Sequence, residues 1–146
     1  TADLTAGNKL NVVLKKANGD YVLANAKKYT VNKNGDISVS MKGNQTYEFV
    51  NSSKMDTLSK KILRTVKVKN SSKTVKKSKT VKMALKKTLN MENVKSIQYS
   101  VSKKSVASVT KKGVVKGKKA GLAVVRAKVT LKNGKAKTVR MKVKVK

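Results

Sequence analysis

Hydrophobicity in this chain repeats every second residue, and that rhythm restricts the fold more than any other feature. Val139, Met141, Val143 and Val145 alternate with Thr138, Arg140, Lys142, Lys144 and Lys146. Successive side chains of a strand point to opposite faces, so this run reads as a strand with apolar groups inward and cations in water. The rhythm recurs in Ile37, Val39 and Met41, in Val66 and Val68, and more loosely in Val81, Met83 and Leu85. Asn18-Gly19-Asp20, Asn34-Gly35-Asp36 and Asn133-Gly134 fall between such runs as hairpin signals, because Asn and Gly accept the positive φ of tight turns. Lys112-Gly113 and Lys116-Gly117 punctuate two further short strands. Only residues 53–61 are open to a helical reading, with a loop carrying one turn as the alternative. The pattern predicts an all-β chain, as a sandwich with a closed barrel as the alternative.

The chain has 146 residues, enough for one domain or two small ones. Charge divides it unevenly. Residues 1–69 hold 13 Lys and Arg against 5 acids, whereas residues 70–146 hold 24 against the single acid Glu92. The polar stretch Asn70-Ser71-Ser72-Lys73 lies at that change. We therefore expect two small β-sandwich domains in tandem rather than one, over residues 1–70 and 71–146, which fold independently about a boundary between Lys69 and Thr74. Thr1 stands where an initiator Met would, and no signal peptide is visible, which reads as a mature or excised piece of something longer. No apolar run is long enough to insert in a membrane.

The second unit carries a family pattern. Tyr99-Ser100-Val101-Ser102 is followed by Ser105-Val106-Ala107-Ser108-Val109, then Gly113-Val114-Val115-Lys116-Gly117, then Ala120-Gly121-Leu122-Ala123-Val124-Val125. These anchors and their spacing, across about residues 74–146, resemble the bacterial immunoglobulin-like domain of group 2. Tyr99 stands where that family usually has Trp, which puts an aromatic at the centre of the expected core, with Phe49 as a second core aromatic. In residues 1–69, Asp20-Tyr21, Tyr29-Thr30-Val31, Asn34-Gly35-Asp36-Ile37, Lys42-Gly43-Asn44 and Tyr47 resemble in part a β repeat of Gram-positive surface proteins. The resemblances imply a secreted or cell-surface bacterial protein, with a Gram-positive source. They imply a stalk, spacer or adhesion module, or an accessory domain of a secreted glycoside hydrolase, and neighbouring domains as partners. They carry over no catalytic residues.

The residues themselves point away from catalysis. The sequence has no His and no Cys, so it offers no imidazole base, thiolate nucleophile or usual zinc site, and we expect no cofactor and no metal. Its six acids, Asp3, Asp20, Asp36, Glu48, Asp56 and Glu92, are scattered, and Asp20 and Asp36 belong to turns. A lysine base, or a lysine in a Lys–Asn crosslink, needs burial, yet almost every Lys falls on a polar strand face.

Charge is the remaining signal. At +31 the chain is expected to associate with anionic polymers. Aromatics for base stacking are few and no nucleic-acid-binding signature occurs, so nucleic acid is disfavoured as a specific partner. An anionic cell-wall polymer, an acidic glycan or an acidic protein fits better, against the alternative of a surface that is only solubilising. The candidate polyanion contacts are Lys111, Lys112, Lys116, Lys118, Lys119, Lys142 and Lys144.

Overall fold

The computed structural model describes residue 7, residues 9–38 and residues 43–146. The first strands are β1 (Lys9–Lys15), β2 (Tyr21–Thr30) and β3 (Thr46–Val50), which form an antiparallel sheet in the order β2-β1-β3. The β1–β2 hairpin turns where Gly19 takes φ +83° and the Asn18 side-chain oxygen accepts the Asp20 N–H at 3.1 Å. Val13, opposite Leu23 on β2, shares one face of the sheet with Val50, and all three are buried. The other face carries Leu10, Val12 and Val22, also buried, with the half-buried Phe49 opposite Val12. Among the described residues Phe49 joins none of the core clusters, and its strand β3 lies at the edge of the sheet.

The chain then forms one helix, α1 (Ser52–Arg64). Met55, Leu58, Ser59, Ile62 and Leu63 recur at helical spacing, so one face meets the first sheet. Asn51 caps its start by accepting the Lys54 N–H at 2.9 Å, and Thr65 closes its end by donating its hydroxyl to the Ile62 carbonyl at 2.6 Å. The helical reading of residues 53–61 thus holds and extends by four residues overall.

The remaining strands build a β-sandwich. They are β4 (Ser72–Val75), β5 (Thr80–Lys82), β6 (Val94–Val101), β7 (Ala107–Val109), β8 (Val114–Gly117), β9 (Gly121–Leu131) and β10 (Ala136–Val145). One sheet has the order β4-β10-β9-β6, with β4 parallel to β10; the other has the order β5-β8-β7. Val75, Val125, Met141 and Val143 from the first sheet enclose a core with Ala107 and Val115 from the second. The all-β expectation stands, with one α-helix and a 3-10 turn at Met91–Asn93 added among the described residues.

Two expected strands differ. Val66 and Val68 lie in no strand: Val68 makes one bridge to Leu85, and Val66 is fully buried against Leu89 and Val129. Lys69 N–H donates to Ala84 O and Lys86 N–H to Lys67 O, so this segment is held by residues from beyond the expected boundary. In the run Ile37, Val39, Met41, Ile37 has no regular structure, and Val39 and Met41 lie outside the described residues.

Apolar packing is continuous from the first sheet to the sandwich. The inward face of β9 places Ala123, Val125 and Ala127 in the sandwich core, Val129 beside Val66 and Leu89, and Leu131 among Val13, Leu23, Val50 and Met55. Ile62 and Leu63 of α1 pack against both of the last two groups. Polar contacts follow the same seam. Buried Asn93 accepts the Leu23 N–H at 2.9 Å, Asn133 donates its amide to the buried Ser59 hydroxyl, and Lys137 donates to the Leu63 carbonyl at 3.0 Å.

Candidate polyanion interface

Strand alternation turns most cations of the two central strands of the four-stranded sheet outward. On β10, Met141, Val143 and Val145 are buried, while Arg140, Lys142 and Lys144 are exposed. On β9 the outward set is Leu122, Val124, Arg126, Lys128 and Thr130. The antiparallel register sets Arg140 directly opposite Arg126, Lys142 opposite Val124 and Lys144 opposite Leu122. Beyond β9, Ser100 pairs with Arg126 and Gln98 with Lys128; beyond β10, Ser72 pairs with Lys142 and Thr74 with Lys144. No Asp or Glu occurs in any of these four strands. The outer face therefore carries Arg126, Lys128, Arg140, Lys142 and Lys144 beside apolar Leu122 and Val124, bordered by hydroxyl and amide groups.

The seven lysines expected to contact polyanion do not come together. Lys142 and Lys144 lie on this face. Lys116 points out of the other sheet, on the opposite side of the sandwich, where it pairs with Thr80 and Ser108. Lys111 and Lys112 occupy the β7–β8 turn. Lys118 and Lys119 lie between β8 and β9, where both backbone N–H groups reach the Val106 carbonyl. Arg126, Lys128 and Arg140 complete the cationic row and were not among the seven. Alternation from Leu122 to Thr130 marks the outward positions of β9, but only the register reveals which cations are neighbours.

Four of the five described acids are engaged elsewhere. Glu48 accepts from Lys54 and, at 2.8 Å, from the Tyr21 hydroxyl; these bonds hold its carboxyl below the usual glutamate range. The Glu48 hydrogen bond raises the Tyr21 phenol in turn. Glu92 pairs with Lys16 at 2.8 Å and is likewise lowered. A general acid at neutral pH needs the reverse shift. Asp56 lies 3.4 Å from Lys135, and Asp20 accepts from Asn18 in its turn. Among the described residues, no group of three or more acids is placed to hold a metal. Every lysine whose burial is described is exposed or half-buried.

Tyr99 closes the flank of the sandwich. It projects inward from edge strand β6, packs against the core and remains half-buried. Its ring lies over Gly113, where a Cβ would come within 2.7 Å of the ring carbon Cζ. Burial pushes its phenol pKa up. Shallow space beside it is lined by Gln98, Val109, Lys111 and Lys128.

Two packed sheets around an aliphatic core, a crossover that sets β4 parallel to β10, and glycine-marked turns define an immunoglobulin-like module. Residues 63–143 match the family model described as bacterial Ig-like domain (group 2). The match covers more than half of the chain, and the chain belongs to that family. It begins in the last turn of α1 and takes in Val66 and Val68, upstream of the start expected from the motifs. Domains of this family are non-catalytic modules typical of extracellular bacterial proteins. No helix of the described chain is long and apolar enough to cross a membrane. No curated protein matches the chain.

Proposed function

We propose that the chain is a non-catalytic structural module of a secreted or cell-surface bacterial protein. It holds and presents neighbouring domains and rests on anionic polymer of the wall or of a host surface through its basic exterior. The observation that carries this reading is the outer face of the four-stranded sheet, where Arg126, Lys128, Arg140, Lys142 and Lys144 stand together on strands that contain no acid. Interspersed signs suffice for solubility, whereas residues 70–146 hold 24 cations against one acid.

The test is titration of the full chain with soluble polyanions at several salt concentrations. Binding should weaken linearly in log–log form, with a slope for duplex DNA of about −0.9 per phosphate neutralised. Failure to bind any polyanion near physiological salt would leave the module purely architectural and remove the wall-contact part of the proposal.

A further inference from the structure

Three Asn-Gly pairs occur in the chain, and the fold sets all three in the same turn. In residues 16–20, 32–36 and 131–135 the first residue donates its N–H to the carbonyl of the fifth, at 2.8, 2.8 and 2.7 Å. The Gly N–H at the fourth position returns to the carbonyl of the first, at 2.9, 3.1 and 2.9 Å. Each of these glycines has φ between +83° and +88°. The backbone thus repeats one geometry three times, and any difference in reactivity among the three asparagines arises from side chains.

Those side chains differ in one place. Asn18 accepts the Asp20 N–H at 3.1 Å and donates to the Asp20 carboxylate at 2.8 Å. Asn133 accepts the Lys135 N–H at 3.2 Å and donates to the Ser59 hydroxyl. In the middle turn the first residue is itself Asn, and the Asn32 side-chain oxygen takes both the Asn34 N–H at 2.9 Å and the Asp36 N–H at 2.8 Å. Lys16 and Leu131, at the same position, have no side-chain oxygen to offer. Asn32 thus captures the N–H that in the other two turns holds the second asparagine. Among the described residues, the exposed Asn34 side chain makes no hydrogen bond.

We propose that Asn34 is a site of spontaneous covalent modification, converting through a succinimide to Asp or isoaspartate, while the fold restrains Asn18 and Asn133 from the same reaction. The Gly35 backbone nitrogen gives up its proton and attacks the side-chain carbonyl carbon of Asn34. The new C–N bond closes a five-membered ring and ammonia leaves. Water then opens the ring at either carbonyl, to Asp with the backbone restored or to isoaspartate with the backbone routed through the side chain. Nothing is oxidised or reduced, and water is the co-reactant. A glycine nitrogen has no neighbouring Cβ to hinder its approach. The side chain must still swing into an attack geometry, which for Asn18 and Asn133 means breaking two hydrogen bonds first and for Asn34 none. The Gly N–H bond has to break in all three turns, so it does not distinguish them. The restraint on Asn133 also preserves its bond to Ser59 at the seam between α1 and the sandwich.

The experiment incubates the full chain in mildly alkaline buffer at physiological temperature, folded and in urea, and samples it over time. Digestion with pepsin at acid pH, followed by tandem mass spectrometry, reads the conversion of each Asn-Gly pair separately. In the folded chain Asn34 should convert about tenfold faster than Asn18 or Asn133, as expected where two hydrogen bonds of ordinary strength must break before attack. In urea the three rates should converge. Asn32→Lys gives the middle turn the first residue of the 16–20 turn, and should slow Asn34 to the rate of Asn18; far-UV circular dichroism checks that this variant is folded. A folded-state rate at Asn18 or Asn133 that equals or exceeds that of Asn34 overturns the proposal, as does the absence of conversion at Asn34. An Asn34 excess that persists unchanged in urea also overturns it, because local sequence and not the fold then sets the rate. If Asn34 converts as fast in Asn32→Lys as in the wild type, the side chain of Asn32 is not what leaves it free, and the proposal falls.

Discussion

Tyr99 and Gly113 meet at the open flank of the sandwich, and each explains the other. Gly113 turns β7 into β8 with φ +76°, a conformation that L side chains rarely adopt, and the absent Cβ leaves room for the phenol. Gly113→Ala should therefore be destabilising through backbone strain and through the clash with the ring, by about 1–3 kcal/mol. Tyr99→Ala should lose less than the ~3–5 kcal/mol of a fully buried aromatic, because the ring is only half enclosed; we expect about 2 kcal/mol. In the double variant the steric part disappears, so the two losses should sum to more than the measured total. Urea denaturation of the four proteins gives that cycle, and strict additivity would show that the ring and the glycine do not interact.

At the scale of the element, α1 joins the two parts of the chain. Its apolar face is continuous except at Ser59, which occupies a buried position. The hydroxyl is satisfied there, donating to the Met55 carbonyl at 2.7 Å and accepting from Asn133 in the β9–β10 turn. The helix thus uses a polar group to fix where the sandwich docks. Its beginning depends on Asn51, since no acid lies in the first turn to assist. Asn51→Ala should destabilise the protein by about 1 kcal/mol, and Asn51→Asp or Asn51→Ser should be nearly neutral because either side chain can accept the same N–H. Thermal melts of the three variants check this; an equal loss in all of them would show that something other than the cap holds residue 51.

For the whole molecule, the decisive feature is that β9 runs through all three apolar clusters. A cut at the expected boundary separates Val66, Ile62 and Leu63 from Leu89, Val129 and Leu131, against which they pack. Fully burying a Val or Leu side chain contributes about 1.5–3 kcal/mol. Residues 72–146 alone should accordingly be less stable than the full chain by roughly 3–6 kcal/mol, counting Val66 and Leu131 at that value each, and should bind a hydrophobic dye. The full chain should unfold in a single transition. A fragment of residues 72–146 that matches the full chain in denaturation midpoint and binds no dye would show that the sandwich stands alone.

Local sequence determined what depends on neighbours along the chain. Period-two alternation made β10 legible almost residue by residue and placed its cations outward before any contact was known. The glycine-marked turns and the spacing from Tyr99 to Val125 were enough to indicate the Ig-like unit, because each anchor answers a backbone or burial requirement at its own position. Tertiary structure decided what depends on register and docking. Residues 126 and 140 lie 14 positions apart, and a slip of one residue would set Arg140 against Val125 or Ala127, on the opposite face. Only the β9–β10 pairing makes the two arginines neighbours, and only the division into two sheets separates Lys116 from Lys142 and Lys144. The same holds for Val66, whose alternation with Thr65 and Lys67 reads as a strand. It is buried instead in a cleft formed by Leu89 and Val129, because burial is satisfied by whichever apolar surface the folded chain brings near, and local rhythm carries no record of which one that is.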